Sequence, residues 1–462
     1  MVARIEIEIN EPHKRGEFDE IILNLYKDDE CVSRSNVIFD FSPLYSFARD
    51  RDSEAFDFLL FSVLIYNIDR FVERNIFSLE GWTREIEVTN LPVFHSEKFT
   101  SIKHLIDNAI GFLTGDIWNI NYVELEAILY QEKNDLKNWD DIDSYEKVSL
   151  FSGGLDSLIG VINELERIPD GNKLLLVSHK DLGKEGKDQE SIMNILKEKR
   201  FYESKYDQIQ TNVGIGKRNL GPRLKNESTF RSRSLLFIGM GIYVANKIGG
   251  NTPLLIPENG TIALNLPLLP SRRSACSTRT THPHFLFNLQ NILSELGITN
   301  QICNPYELKT KGEMVVECYN QEVLLSLIES SCSCAKRGHT HYWDRRDRSH
   351  CGMCLPCIYR RVALHQIGSD TANHYGTDIF NGINYNINDL NQKSSCDFRT
   401  LLAFIRSEPT LEQIEKELLI NGMQNVSNIR EYAFVVERTI EQIKSWIIAS
   451  GNNYIKIKAG IE

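Results

Sequence analysis

Two stretches of the chain bring together residue types that can do chemistry. In VSLFSGGLDSLIG, over 148–160, an apolar run leads through Ser-Gly-Gly into a pattern typical of a helix. Glycines at such a junction let backbone N–H groups approach a phosphate without an intervening side chain. Ser152 and Ser157 can add hydroxyl donors, and Asp156 can hold a magnesium ion or position a donor. The loop lacks the Gly-Lys-Ser/Thr of the kinase-type P-loop, and a serine-capped turn without a ligand is the alternative.

The second stretch is a cluster of cysteines. Five of the ten cysteines fall within 332–357, at positions 332, 334, 351, 354 and 357. Three thiolates separated by two residues each, together with one remote thiolate, satisfy tetrahedral zinc. An iron–sulfur cluster uses the same ligands, and a set of free buried cysteines is the remaining alternative. In a reducing compartment this clustering favours a metal over disulfides.

Polar residues also follow or precede apolar elements in the middle of the chain. TFRSRSLLFIG places Arg231 and Arg233 before an apolar helix, which suggests a phosphate-facing pocket, with a surface salt bridge as the alternative. In IPENG, Glu258 and Asn259 follow an apolar strand. There they can bind the donors and acceptors of a guanine-like base, or Glu258 can act as a base. A turn with solvated side chains is the competing interpretation.

The segment STRTTHPHF is a further candidate for ligand binding. Its polar residues Thr278, Arg279, Thr281 and His282 come just before a helix. The start of a helix is a good place for a carboxylate or a phosphate. A plain N-cap, which needs no ligand, explains the same pattern.

An alternation of short apolar strands with helices from Val148 onward must position these motifs. KVSLF, KLLLVSH and TPLLIP have the pattern of buried strands, and DSLIGVINELERI has that of an amphipathic helix. The alternation predicts an α/β fold, with a doubly wound parallel sheet over 146–370 and ligands at the carboxyl ends of its strands. The pattern over 1–140 predicts an N-terminal α+β domain. The pattern over 371–462 predicts a mainly helical extension, and neither end carries a chemical motif.

The composition is that of an ordinary folded protein. The chain has 462 residues, of which 42% are hydrophobic and 25% charged, and this length predicts two or three domains. A formal net charge of −11 argues against binding along an extended nucleic acid, while a local basic pocket remains possible. The N-terminus lacks an apolar signal core and the apolar runs are too short to span a bilayer, so the sequence predicts a cytoplasmic protein.

The stretch SGGLDS resembles the SGGxDS loop of the PP-loop ATP pyrophosphatases. In that family the loop grips the β- and γ-phosphates of ATP, a carboxylate or carbonyl oxygen attacks the α-phosphate, and a nitrogen or sulfur nucleophile then displaces AMP. The resemblance implies ATP and Mg²⁺ as cofactors. The residues expected to bind the nucleotide are Ser152, Gly153, Gly154, Leu155, Asp156, Ser157, Ser178, Arg231 and Arg233.

A cysteine followed by HCGMCLPC behind such a domain resembles the zinc site of QueC, the 7-cyano-7-deazaguanine synthase. With FRSRS, IPENG, STRTTHPHF and the extra N-terminal domain, the chain to about residue 370 is more similar to the QueC-like (QatC) family of bacterial anti-phage Qat systems. The resemblance implies Zn²⁺ held by Cys332, Cys351, Cys354 and Cys357, with Cys334 as an open alternative to Cys332. QueC has Arg-Asn where this chain has Arg233-Ser234, and the Asp and Cys of its DCRPEF-like stretch are absent here.

The resemblance implies an enzyme that adenylates 7-carboxy-7-deazaguanine and transfers it to an amine, the N-terminus of a QatB-like partner protein. The expected catalytic residues are Asp156, Arg233 and Glu258. The expected substrate-binding residues are Glu258, Asn259, Arg279, Thr281 and His282. The extra N-terminal domain is expected to dock the partner, and a QatA ATPase and a QatD nuclease are further expected partners.

Three other functions stay open at this point. The enzyme could use ammonia and form a nitrile, as QueC does. A tRNA-thiolating PP-loop enzyme would carry an iron–sulfur cluster, but the charge of −11 weighs against it. A nucleotide-binding scaffold of a defence complex would need no catalysis, and the intact SGGLDS loop argues against that.

Overall fold

The structure is a computed structural model. It describes residues 2–11, 18–79, 81–134, 136–139, 141–180, 183–198, 202–221, 224–268, 279–383, 385–390, 392 and 395–461. Among these residues, none of the helices has both the length and the apolar character that crossing a membrane requires.

The described strands, in chain order, are β1 (Val2–Asn10), β2 (Glu20–Lys27), β3 (Glu30–Phe39), β4 (Ser78–Leu79), β5 (Thr83–Val93), β6 (Ile117–Glu124), β7 (Tyr145–Leu150), β8 (Lys173–His179), β9 (Tyr206–Thr211), β10 (Val213–Ile215), β11 (Leu254–Leu255) and β12 (Ile302–Cys303). The helices before residue 250 are α1 (Ser42–Ala48), α2 (Glu54–Phe71), α3 (Arg74–Phe77), α4 (Ser96–Ser101), α5 (Lys103–Thr114), α6 (Leu155–Arg167), α7 (Gly183–Glu198) and α8 (Arg233–Ile248). Those after it are α9 (Gly260–Leu264), α10 (Pro283–Glu295), α11 (Lys311–Val316), α12 (Gln321–Leu327), α13 (Leu355–His365), α14 (Cys396–Arg406), α15 (Leu411–Ile420), α16 (Ile429–Ser450) and α17 (Asn453–Lys458).

A five-stranded sheet lies at the centre of the region from β7 to β12. Its strand order is β12-β11-β7-β8-β9, and all four pairings are parallel. The chain runs from β7 outward through β8 to β9, then returns by way of α8 to the other side of β7. The α/β class and the parallel sheet expected from the sequence are therefore confirmed.

Both faces of this sheet are buried, as an apolar parallel strand requires. Along β8, Leu174 and Leu176 belong to the core cluster that contains α6 and α12. The alternate residues Leu175 and Val177 belong to the cluster that contains α8. Successive side chains of a strand point to opposite faces, so this division places helices on both sides of the sheet.

The N-terminal part of the chain forms a mixed sheet of seven strands in the order β10-β3-β2-β1-β5-β4, with β6 paired to β5. Helix α2 starts at the N-cap Ser53, whose hydroxyl accepts a hydrogen bond from the Phe56 backbone N–H at 3.2 Å. It is buried almost throughout because it lies between this sheet and α8.

The two sheets are not separate bodies. Strand β10, which follows β9 of the parallel sheet, pairs antiparallel with β3 and completes the edge of the mixed sheet. A single hydrophobic cluster runs from β1 and β2 through α2 to α8 and α10. The N-terminal region expected as an accessory domain thus shares its core with the parallel-sheet region. Within the expected helical extension over 371–462, the α-helices that the structure describes are α14 to α17, which begin at Cys396, and α16 packs on α9, α11 and α13.

Candidate functional site

The Ser-Gly-Gly loop joins the carboxyl end of β7 to the start of α6. Gly153 has a φ of +81°, and a Cβ at this position would lie 3.2 Å from Cγ of Gln189. Gly154 is the N-cap of α6, and its backbone N–H donates to Oγ of Ser152 at 3.3 Å. The hydroxyl groups of Ser152 and Ser157 lie 3.2 Å apart. The loop therefore turns back on itself and places its serines beside the N-terminus of a helix, as the sequence predicted.

The strand order locates this loop at a special point of the sheet. Strand β7 has β8 on one side and β11 on the other, and the chain leaves β7 for β8 but reaches β11 by a separate crossover. In open α/β sheets, ligands bind in the crevice at such a reversal of strand order. The residues after β7 and those after β11, including Glu258 and Asn259, lie at this crevice.

A cavity of about 840 Å³ opens at this crevice. Among the residues predicted for the site, those that line it are Ser152, Gly153, Ser157, Arg233, Glu258 and Thr281. Its other wall is largely apolar and includes Leu150, Phe237, Ile238 and Ile256. A smaller adjoining cavity of about 230 Å³ is lined by Gly154, Leu155, Asp156 and Lys311, and shares Ser152, Ser157 and Glu258 with the larger one.

Asp156 is the centre of a buried polar network. Its Oδ1 accepts a hydrogen bond from Nζ of Lys311 at 2.6 Å, and its Oδ2 accepts one from Nδ2 of Asn259 at 2.8 Å. Burial alone would raise the pKa of Asp156, but the Lys311 ammonium and the hydrogen bonds from Glu258, Lys311 and Asn259 hold it below its ordinary value. Burial, together with the charge on Asp156, raises the pKa of Glu258 well above its ordinary value. These opposite shifts favour the ionised form of Asp156, next to Lys311, and the protonated form of Glu258.

Asn259 also has a structural role, and its side chain is buried, unlike the solvated turn that was the competing interpretation. Its Oδ1 accepts a hydrogen bond from the backbone N–H of Ile262 at 3.0 Å and so caps α9. Both ends of the amide are thus used within the protein, one at the helix and one at Asp156. In this arrangement Asn259 positions Asp156 and does not line either cavity.

Several predicted ligand-binding residues lie behind the cavity wall. Nη1 of Arg231 donates to the carbonyl of Thr114 at 2.6 Å, and Nη1 of Arg279 donates to the carbonyl of Phe112 at 3.0 Å. Neither arginine lines the cavity, because each reaches toward α5 instead. Thr278 lies outside the described residues.

His282 and Ser178 are likewise occupied inside the protein. His282 is fully buried and caps α10, its Nδ1 accepting a hydrogen bond from the His284 backbone N–H at 3.2 Å. Burial and the nearby charge of Arg279 lower the pKa of His282 to about 3, so its ring is neutral. Ser178 is buried near the end of β8 and its hydroxyl accepts from Gln208 at 2.8 Å.

The cysteine group is the second candidate site. The sulfur atoms of Cys334, Cys351, Cys354 and Cys357 all lie within 4.8 Å of one another, and this group can hold a metal ion such as zinc. The assignment of Cys332 as the fourth ligand was wrong. Its sulfur is not one of the four grouped atoms and lies 3.7 Å from the carbonyl oxygen of Ser349, whereas the sulfur of Cys334, two residues on, belongs to the group.

The surroundings of these sulfurs fit a single tetrahedral ion. A tetrahedral Zn²⁺ with bonds of about 2.3 Å places its sulfur ligands about 3.8 Å apart, and the sulfurs of Cys351 and Cys357 are 3.7 Å apart. Backbone N–H groups of Met353 and Cys354 both donate to Sγ of Cys351 at 3.3 Å. Hydrogen bonds from the other three thiols lower the pKa of Cys351 well below its ordinary value. The donor set therefore suits a metal that binds thiolate.

The segment that carries Cys334 also touches the Ser-Gly-Gly loop. The Cys332 backbone N–H donates to the carbonyl of Gly153 at 2.9 Å, and Oγ of Ser333 accepts from the Leu155 backbone N–H at 3.3 Å. Both Cys332 and Ser333 line the two cavities. A metal bound at the cysteine group would thus hold one wall of the cavity in place.

Lys311 and Ser333 are site residues that the sequence analysis missed. Lys311 is the first residue of α11, whose start is fixed by a capping box between Thr310 and Glu313. That pattern, Thr-x-x-Glu, is readable from sequence and marks the start of a helix. Since α11 follows β12 of the parallel sheet, its N-terminus had to lie at the same edge as the Ser-Gly-Gly loop. The capping pattern therefore indicated a helix start at this edge of the sheet, and Lys311 is the residue that it places there.

The chain was also compared with known proteins. No protein-family model, no curated protein and no solved structure matches it. The functional assignment therefore depends on the site and on the residue patterns that compose it.

Proposed function

We propose that this protein is an ATP-dependent adenylating ligase of the PP-loop, QueC-like type. It would activate the carboxylate of a 7-deazaguanine base and transfer the base to an amine, most simply the N-terminus of a QatB-like partner protein. The observation that carries the proposal is the SGGLDS loop at the strand-order reversal of a parallel sheet, facing a cavity of about 840 Å³. The patterns HCGMCLPC and IPENG narrow the proposal from PP-loop enzymes to the QueC-like group.

The proposed reaction has two half-reactions. In the first, an oxygen of the base's carboxylate attacks the α-phosphorus of ATP, and pyrophosphate leaves. In the second, the amine nitrogen attacks the acyl carbon of the mixed anhydride, AMP leaves, and the nitrogen loses a proton. The hydroxyls of Ser152 and Ser157 and the start of α6 suit the departing pyrophosphate, because they offer hydrogen-bond donors at a helix N-terminus. Arg233, which lines the same cavity, adds a positive charge for the phosphates.

The carboxyl pair suits the magnesium ion that usually accompanies ATP. Mg²⁺ prefers oxygen ligands and binds through one or two carboxylates plus the phosphates of the substrate. Asp156 and Glu258 offer such oxygens at the smaller cavity, beside Ser152 and Ser157. The ion would neutralise phosphate charge there. Without the ion, the raised pKa of Glu258 favours its neutral form, and Lys311 pairs with the Asp156 carboxylate.

The expected partners follow from the nature of the acceptor. A macromolecular amine needs a docking surface, whereas ammonia needs none. A Qat defence role, with a QatA ATPase and a QatD nuclease beside a QatB-like acceptor, rests on the resemblance of the motifs. A cytoplasmic location and zinc at the cysteine group belong to the same proposal.

The test is to mix the purified protein with ATP, 7-carboxy-7-deazaguanine and the QatB-like partner. We expect release of AMP and pyrophosphate, and an increase in the intact mass of the partner by that of the base minus water. Asp156→Ala should abolish both, while Asp170→Ala, at a side chain that is 99% exposed, should not. AMP release without a mass increase, with a nitrile formed from ammonia, would show that ammonia is the acceptor. No ATP cleavage at the α-phosphorus would refute the proposal.

The thiolation alternative is distinguished by the metal. An iron–sulfur cluster contains several metal ions, so its cysteine sulfurs must lie farther apart than the sulfurs around a single ion. The close grouping of the four sulfurs favours a single ion. A colourless protein with one zinc per chain is the expected result of metal analysis, and a brown protein containing iron would favour thiolation instead.

A further inference from the structure

One residue in the wall of the larger cavity has an unusual backbone conformation. Phe230 lines the cavity and has a φ of +50°, in the left-handed region. Among the described non-glycine residues with positive φ, it is the only aromatic one, and most of the others are Asp or Asn. Bulky residues rarely adopt this strained conformation, which tends to persist at functional sites.

The chain is anchored to the N-terminal region on both sides of Phe230, while the Phe230 carbonyl itself accepts a hydrogen bond from the Arg233 backbone N–H at 3.2 Å. On one side, the Glu227 backbone N–H donates to the carbonyl of Arg70 at 2.7 Å, and Oε2 of Glu227 accepts from the Arg74 backbone N–H at 3.0 Å. On the other side, Ser232 donates from its backbone N–H and its hydroxyl to Oδ2 of Asp69, at 3.0 and 2.6 Å. The segment between these anchors is clamped at both ends.

The anchoring carboxylate is itself fixed by a buried network. Asp69 pairs with Arg84, and Arg84 pairs with Asp116 at 2.6 Å, with no exposure of any of these side chains. Arg74 adds a second contact to Asp116, also at 2.6 Å. A buried network of ion pairs of this kind resists movement, because any displacement leaves a buried charge without its partner. The N-terminal region therefore fixes the position of Phe230, through the anchors at Glu227 and Ser232.

The Phe230 ring belongs to a line of side chains at the cavity. Phe230 precedes the start of α8, Arg233 and Phe237 lie one turn apart on that helix, and all three line the cavity. The guanidinium carbon of Arg70 lies 4.4 Å from the centre of the Phe230 ring and supports it. Phe230, Phe237, Ile238 and Ile256 give the cavity an apolar lining in addition to the polar residues of the Ser-Gly-Gly loop. Such a wall suits a flat, apolar ring face, as aromatic stacking on bases does.

We propose that Phe230 packs against a planar heteroaromatic ring of the ligand and determines which ring is accepted, and that the α2–α3 segment holds it in place for this purpose. The inference depends on the proposed function for the identity of the ring, which is either the adenine of ATP or the pyrrolopyrimidine of the carboxylate substrate. It changes the expected role of the N-terminal region, which then builds a wall of the cavity and does more than dock a partner.

The experiment measures ligand affinity by calorimetry with the full-length, metal-loaded protein. The ligands are ATP, inorganic tripolyphosphate and 7-carboxy-7-deazaguanine. The variants are F230Y, which keeps the ring, F230L, which keeps the bulk and the backbone strain, and F230G, which removes both. Glu408→Gly is the matched control, because Glu408 has a φ of +44° on the exposed surface and does not line the cavity.

We expect F230L and F230G to weaken at least one of the two ring-bearing ligands by tenfold or more, and F230Y to stay within about threefold of the wild type. Tripolyphosphate affinity should change by less than twofold in every variant, and Glu408→Gly should change no affinity. A loss confined to ATP identifies adenine as the ring, and a loss confined to the deazaguanine acid identifies the substrate.

Two results would overturn the inference. One is unchanged affinity for both ring-bearing ligands in F230L and F230G. The other is a parallel loss of tripolyphosphate affinity, which would make Phe230 a support of the phosphate loop. A wild-type protein that binds the deazaguanine acid through Phe230 but does not bind ATP would contradict the proposed function and leave this inference standing. A wild-type protein that binds neither ring-bearing ligand would overturn both.

Discussion

Replacing Glu258 with Gln tests whether the carboxyl pair holds a proton. Burial and the charge on Asp156 raise the pKa of Glu258 well above its ordinary value of 4.5. Between the unfolded and the folded pKa, the folded protein binds one more proton than the unfolded chain, so the free energy of unfolding falls as pH rises. The contribution of Glu258 is thus fully present below pH 4.5 and is lost progressively above it. One proton corresponds to a slope of at most about 1.4 kcal/mol per pH unit.

Gln has nearly the same shape as protonated Glu and can donate to Asp156, but it cannot ionise. We therefore expect E258Q and the wild type to have similar stability near pH 4.5 and E258Q to become the more stable protein above it. Two pH units higher, the difference should approach, and not exceed, about 2.7 kcal/mol. Asp156 has a lowered pKa, so its own contribution is present above its unfolded pKa and lost as pH falls in both proteins.

The assay is urea unfolding at several values between pH 4.5 and 7.5, without nucleotide or magnesium, since either would compete for the pair. Glu203→Gln, at an exposed position, is the control and should show no pH-dependent gain. A stability difference that stays constant with pH, or a wild type that is more stable than E258Q at neutral pH, would show that Glu258 ionises freely and that the pair does not share a proton.

The remaining predictions concern the loop, the cysteine group and the buried network. Gly153→Ala puts a side chain on a backbone with a φ of +81°, and we expect a loss of about 1–2 kcal/mol in urea unfolding together with weaker ATP binding in calorimetry. Gly171→Ala, with a φ of +92° and open space around it, should lose stability alone. Cys334→Ser should release the metal and lower the unfolding midpoint, whereas Cys332→Ser should retain the metal, as elemental analysis will show; the reverse result would restore the original assignment. Arg84→Met leaves two buried carboxylates without their main partner and should reduce the free energy of unfolding by about 3–5 kcal/mol; a loss below 1 kcal/mol would mean that the network is not rigid.

Local patterns in the sequence were sufficient to predict the parallel sheet and the position of the Ser-Gly-Gly loop between a strand and a helix. Apolar strands such as KLLLVSH can be satisfied only when both faces are covered, and the alternation with helices then requires parallel crossovers. The conformation of Gly153 was also predictable, because a strand that ends in Ser-Gly-Gly before a helix must reverse sharply. These features depend on residues close together in the chain.

Features that depend on distant parts of the chain were not predictable in the same way. Cys334 joins the three cysteines at 351–357 because its sulfur, and not that of Cys332, faces them in the folded chain. The spacing of cysteines in the sequence does not determine which of the two sulfurs does so. Arg231 and Arg279 are residue types that often bind anions. Here both donate hydrogen bonds to backbone carbonyls of α5 in the N-terminal region. The strain at Phe230 arises from contacts with α2 and α3, more than 150 residues earlier.

The C-terminal helix α16 also supports the candidate site from a distant part of the chain. On α16, Nε of Arg438 donates to Oε1 of Glu313 at 2.6 Å, and Glu313 belongs to the capping box that starts α11 at Lys311. One residue further along α16, the Thr439 hydroxyl lies 2.7 Å from that of Thr261, in the helix that follows Glu258. Helix α16 thus contacts both helices that position the partners of Asp156, namely α11 with Lys311 and α9 after Glu258. A chain cut near residue 370 would keep every motif that the sequence displays, yet it would lose the support that brings Lys311 and Glu258 to Asp156.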